Sequence, residues 1–88
     1  MNNTVFCRKY KKDLTRMDRP PFPGPNGEKL FNTVSKQAWQ EWLSFQTMLI
    51  NEKQLSLADS KSRKYLNEQM ENFLDNKSTD QPEGFNPS

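Results

Sequence analysis

The chain has 88 residues, one cysteine, no histidine and a formal net charge of +2; one small domain is expected, with no internal disulfide and without the commonest general base. Its hydrophobic share is 32%, well below the ~45–50% of typical globular chains even with the three glycines added, so the aromatic side chains must supply most of the core. No apolar run approaches the ~20 residues of a membrane span or follows the early basic residues as a secretory signal would, and with a single free thiol the expected compartment is the cytoplasm.

In chain order, residues 4–10 are rich in β-branched and aromatic types and read as a strand. Period-two alternation puts Val5, Cys7 and Lys9 on one face and Phe6, Arg8 and Tyr10 on the other. The expected strand partner is the extended segment near Asp18 to Phe22, after a polar turn around Lys12 to Thr15. Pro20 and Pro21 would keep that partner short and at an edge. The four prolines and two glycines between Pro20 and Gly27 exclude a helix interior. Pro25 suits the first position of a short helix after Gly24, with Leu30, Phe31 and Val34 on one side.

The second helix is the clearest element. Ser35 is its expected cap. Ala38, Trp39, Trp42, Leu43, Phe45, Leu49 and Ile50 form one broad apolar face at 3.6-residue spacing, with Trp39 and Trp42 expected to be mostly buried. Gln46 falls inside that arc and is expected to hydrogen-bond backbone of the strand region. Residues 53–58 read as a linker whose Leu55 and Leu57 fold back onto the core. Asp59 caps a third helix whose Leu66, Met70, Phe73 and Leu74 repeat as one narrow stripe. From Asn76 onward the chain is polar and reads as a mobile tail, with Phe85 a candidate for docking. The organisation expected is thus a domain over residues 1–75 and a flexible tail over 76–88.

Chemistry-bearing patterns are few. No Ser-His or Cys-His pair exists, and Pro23-Gly24-Pro25-Asn26-Gly27 lacks the lysine and hydroxyl residue of a phosphate loop; the expectation is a non-enzyme. A structural zinc or iron–sulfur centre needs about four soft ligands, and the chain has one, so no tightly bound cofactor is expected. An iron(II) site here would be oxygen-rich, open and weak. Glu28, Glu52, Glu68, Glu71 and Asp75 are the carboxylates on offer, in no recognised pattern, so the metal ligands stay unassigned. Cys7 has two readings: a small buried hydrophobe beside Val5, or a reactive thiolate favoured by Arg8 and Lys9 directly after it. Residues 1–19 hold six basic and two acidic residues; such an arm is either a solvated edge or a binding site for nucleic acid or an acidic protein.

The run Ser35-Lys36-Gln37-Ala38-Trp39-Gln40-Glu41-Trp42-Leu43, followed by Gln46-Thr47-Met48-Leu49-Ile50-Asn51-Glu52-Lys53, closely resembles the signature of the bacterial iron(II)-trafficking (YggX) family. Pro21-Phe22-Pro23-Gly24 upstream and Arg63-Lys64-Tyr65-Leu66, Glu68-Gln69-Met70 and Asn72-Phe73-Leu74 downstream resemble it too. Cys7 falls where that family carries its N-terminal cysteine. The likeness covers about residues 4–75, and it departs from the family pattern at Pro25-Asn26-Gly27 and at Asp75, where an aromatic is usual.

The resemblance implies a small α+β fold, a short N-terminal two-stranded antiparallel element with three α-helices. It implies a cytoplasmic, non-enzymatic role in maintaining labile ferrous iron and protecting iron–sulfur proteins from oxidative damage, with Cys7 as the functional thiol. Ferrous iron is then the partner, weakly held, with iron–sulfur enzymes as clients. The expected state is a monomer, off the membrane and not engaged with nucleic acid. The alternative is a small interaction module that binds nucleic acid or protein through its basic N-terminal arm, without iron.

Overall fold

The computed structural model describes residues 3–80. Its elements are β1 (Thr4–Cys7), β2 (Lys12–Thr15), α1 (Pro25–Thr33), α2 (Lys36–Lys53) and α3 (Ser60–Leu74), an α+β fold. The chain forms two compact units whose dividing line falls inside α2, between Gln40 and Glu41.

In the first unit β1 and β2 pair antiparallel, with Thr4 opposite Thr15, Val5 opposite Leu14, Phe6 opposite Asp13 and Cys7 opposite Lys12. The hairpin is tighter than the sequence suggests. The partner strand is Lys12–Thr15, where a turn was expected, and Asp18–Phe22 is irregular. Lys11 adopts φ 58° and its N–H donates to the Cys7 carbonyl at 2.7 Å, reversing the chain immediately after Cys7. Positive φ in a non-glycine residue gives little sequence signal, whereas Pro20 and Pro21 lack the N–H a ladder needs. Alternation along β1 is as expected: Val5 and Cys7 are buried and Phe6 is 59% exposed.

Gly24 (φ 99°) and Pro25 open α1, with the Glu28 N–H donating to the Gly24 carbonyl at 3.1 Å. Gly27 is needed for close approach, since a Cβ there would lie 1.8 Å from the Phe22 carbonyl oxygen. Leu30 and Val34 are buried. Ser35, fully buried, caps α2 by accepting from the Ala38 N–H at 3.1 Å and pairs with Arg16 in an isolated antiparallel bridge. Phe22 lies tilted against Trp39, ring centroids 6.5 Å apart.

Along α2 the buried positions are Ala38, Trp42, Phe45 and Leu49, which at about 100° per residue span an arc of only about 60°. Trp39, Gln46 and Ile50 sit on one flank of that arc and are half-buried. Leu43 lies farther round the same flank and is 41% exposed. The fully buried face is therefore narrower than the sequence reading: Trp39 is mostly buried on its flank, as expected, while Leu43 lies outside it.

In the second unit Trp42, Phe45 and Phe73 form an aromatic cluster with centroid separations of 5.8, 5.8 and 5.1 Å. Asp59 caps α3 by accepting from the Lys61 N–H at 3.0 Å, and Leu66, Met70 and Leu74 bury its apolar stripe. Both helices end in Schellman turns. Gln54 (φ 51°) lets the Leu55 N–H reach the Ile50 carbonyl at 3.1 Å. Asn76 (φ 61°) lets the Lys77 N–H reach the Asn72 carbonyl at 2.7 Å. Leu55 is half-buried, but Leu57 is 56% exposed rather than folded inward. Residues 77–80 follow this turn toward Gln69 and Tyr65. Phe85 lies outside the described residues.

Candidate functional site

The hairpin and the α1–α2 junction fix the surroundings of Cys7. β1 directs its side chain inward with that of Val5, and the thiol has no exposed surface. Its sulfur accepts a hydrogen bond from the Ser35 N–H at 3.4 Å. Its carbonyl accepts from Lys11, and the next N–H, that of Arg8, donates to the Thr33 carbonyl at 2.8 Å. Cys7 is thus tied on both sides, and the thiol Sγ meets solvent, metal or oxidant only if β1 and the 33–35 segment part.

The basic residues around it divide into engaged and exposed groups. The Arg16 guanidinium stacks 4.4 Å above the Phe31 ring and donates to the Asn32 side-chain oxygen at 3.4 Å. Its buried Nε makes no hydrogen bond. Lys9 lies 5.9 Å from the Tyr10 ring centroid. Lys11, Lys12 and Arg19 are exposed. The Lys36 ammonium lies 3.9 Å from the Asp18 carboxylate, the aspartate largely solvated and the lysine about half so.

The candidate carboxylates do not converge. Glu28 is in the first turn of α1, Glu52 at the end of α2, Glu68 and Glu71 on α3, and Asp75 at the C-cap of α3. Among the described residues no group of three or more His, Cys, Asp or Glu side chains could hold a metal ion.

A polar cluster in the second unit escaped the sequence reading. The Tyr65 hydroxyl donates to the Asp80 carboxylate, the Asp80 N–H donates to the Gln69 side-chain oxygen at 2.9 Å, and the Lys53 ammonium lies 4.0 Å from the same carboxylate. Lys53 also sits 5.7 Å from the Tyr65 ring centroid. Burial first, then the hydrogen bond to Asp80 and its negative charge, raise the Tyr65 pKa well above the ordinary tyrosine value. The one sequence signal was Gln69, four residues after Tyr65 beside the apolar stripe, a polar side chain that needed a partner once buried.

The family model described as bacterial Fe(2+) trafficking matches residues 1–88. A probable Fe(2+)-trafficking protein of Chromohalobacter salexigens is 60% identical over 87 residues, spanning 99% of this chain and 97% of its own. One of Teredinibacter turnerae is 59% identical, spanning 99% of both chains. One of Hahella chejuensis is 58% identical, spanning 99% of this chain and 98% of its own. No described helix is long and apolar enough to cross a membrane.

Proposed function

Because the chain belongs to the bacterial Fe(2+)-trafficking family, we propose that it handles ferrous iron as cargo in the cytoplasm, without being an enzyme, and protects iron–sulfur proteins from oxidative damage. The observation that carries this is the match of the family model along residues 1–88. The donor chemistry is compatible with cargo: dispersed carboxylates hold a borderline, hydrated Fe(2+) weakly and release it readily, unlike a cage of soft ligands. In this role iron is passed on rather than kept, and no tightly bound cofactor is involved.

Cys7 is the functional thiol in this proposal. Since its sulfur is sealed beneath Ser35, its chemistry is gated by local opening of the β1 to 33–35 contact, a fluctuation that need not unfold the rest of the chain. The test compares wild type and Cys7→Ser for preserving the activity of an iron–sulfur enzyme under superoxide stress. Wild type is expected to preserve it and the variant, equally folded, to preserve less. No protection by wild type overturns the protective role; equal protection by a folded Cys7→Ser leaves that role standing and removes the thiol from it.

A further inference from the structure

The hairpin unit carries an open sheet edge beside a basic groove. Up to Gln40 the chain holds eight basic and three acidic residues, and beyond it five basic and eight acidic. Positive charge is therefore concentrated on the unit with the hairpin. Among the described residues β2 has a strand neighbour on one side only. The Arg16 N–H donates to the Asn3 carbonyl at 2.9 Å, which sets the phase of the ladder: Leu14 and Lys12 turn their backbone groups toward β1, while Asp13 and Thr15 turn theirs to the open side. The antiparallel Arg16–Ser35 bridge, formed while the Arg16 N–H is spent on Asn3, engages the flanking Thr15 carbonyl, so the open stretch is Asp13 and the Thr15 N–H. Along it runs an open groove of ≈ 280 Å³ lined by Leu14, Thr15, Lys36, Gln37 and Gln40. Leu14 is its half-buried apolar floor. Lys12 stands on the same strand face as Leu14, and Lys36 opens α2, whose N-terminus adds partial positive charge.

We propose that this edge and groove bind an extended, acidic peptide segment of a partner protein, which adds as a short third strand against β2. The backbone N–H and C=O of Asp13 and the N–H of Thr15 pair with its main chain. One side-chain row of the peptide lies over Leu14, and its carboxylates meet Lys12 and Lys36, with the Gln37 and Gln40 amides as further hydrogen-bonding groups. The charge selects the occupant. A second copy pairing edge to edge would bring its own Lys11 and Lys12 to the same strip, and lysines on a short edge oppose such self-pairing; an acidic strand is attracted by them. The proposal does not depend on iron.

The probe is a fluorescein-labelled octapeptide of sequence Glu-Thr-Val-Thr-Glu-Thr-Val-Thr, whose one strand face alternates glutamate and valine, titrated against the full chain at low and high salt. Binding is expected to weaken with salt, to shift the amide resonances of Asp13–Thr15 and Lys36–Gln40, and to fall about tenfold in the Lys12→Glu, Lys36→Glu double variant. Glutamate at position 36 also favours the first turn of α2, so the variant should stay folded. N-methylation of the peptide on alternate residues separates strand addition from plain charge attraction, because only the register facing β2 should abolish binding. Shifts elsewhere, equal binding by the double variant, or indifference to N-methylation overturn the proposal. So does a single-stranded oligonucleotide that shifts the same amides and competes as well as the peptide, which would make the strip a phosphate-backbone site.

Discussion

At position 27 the side chain is dictated by a neighbouring backbone. The Phe22 carbonyl leaves no room for a Cβ, and a main-chain oxygen cannot swing aside as a flexible side chain does. Gly27→Ala should therefore destabilise the protein by about 1–3 kcal/mol, read as a lower denaturant midpoint. Cys7 is constrained differently. Its burial and the bond from Ser35 mean that a small thiol reagent should modify it slowly under native conditions and quickly in denaturant. Labelling at the rate of a free thiol would remove the gated picture. Tyr65 gives a pH signature. In the unfolded chain its phenol ionises near its ordinary value of about 10; in the folded chain burial and Asp80 hold the proton to higher pH. The contribution is thus fully present below the unfolded value and is lost as pH rises above it. A phenolate absorbance titration should show a late step that Tyr65→Phe removes, and its persistence in that variant would contradict the assignment.

At the scale of elements, α2 carries the largest buried side chain, Trp42, packed in tilted contact with Phe45 and Phe73. Trp42→Ala should cost about 3–5 kcal/mol, a large share of what a domain of this size has; a chemical melt at wild-type stability would contradict that burial. The end of α2 holds a correctable strain. Gln54 takes φ 51° to close its Schellman turn, where glycine meets no Cβ penalty. Gln54→Gly should raise stability by up to about 1 kcal/mol, and a loss would mean that the glutamine side chain outweighs the backbone strain. What could be read from the sequence followed from residue-local physics: the caps Ser35 and Asp59, Pro25 at the first turn of α1, the shared face of Val5 and Cys7, and the stripe of α3 all announce themselves by type and spacing, whereas the burial of Cys7 was one of two open readings. The hairpin did not, because its reversal rests on positive φ at Lys11 and its second strand, Lys12–Thr15, is held by pairing rather than by β propensity. The Tyr65–Asp80–Gln69 cluster was equally hidden, since it joins α3 to a polar segment that composition alone marks as a tail.

At the scale of the whole molecule, the chain has one thiol and no histidine, and among the described residues no group of three or more metal-ligating side chains comes together; the proposed iron site is accordingly oxygen-rich and weak. The resemblance carried the functional reading further than the residue patterns did, because a weak cargo site has no required spacing to recognise. A site of this kind should bind Fe(2+) saturably but lose it to a chelator, in contrast with a resident metal centre. The most direct measurement is an anaerobic calorimetric titration of the purified chain with iron(II), repeated after dialysis against a chelator. The expected result is saturable, stoichiometric binding to a protein that holds no metal after dialysis. A flat titration would contradict iron handling by this chain, and metal retained through dialysis would contradict the weak, oxygen-rich site.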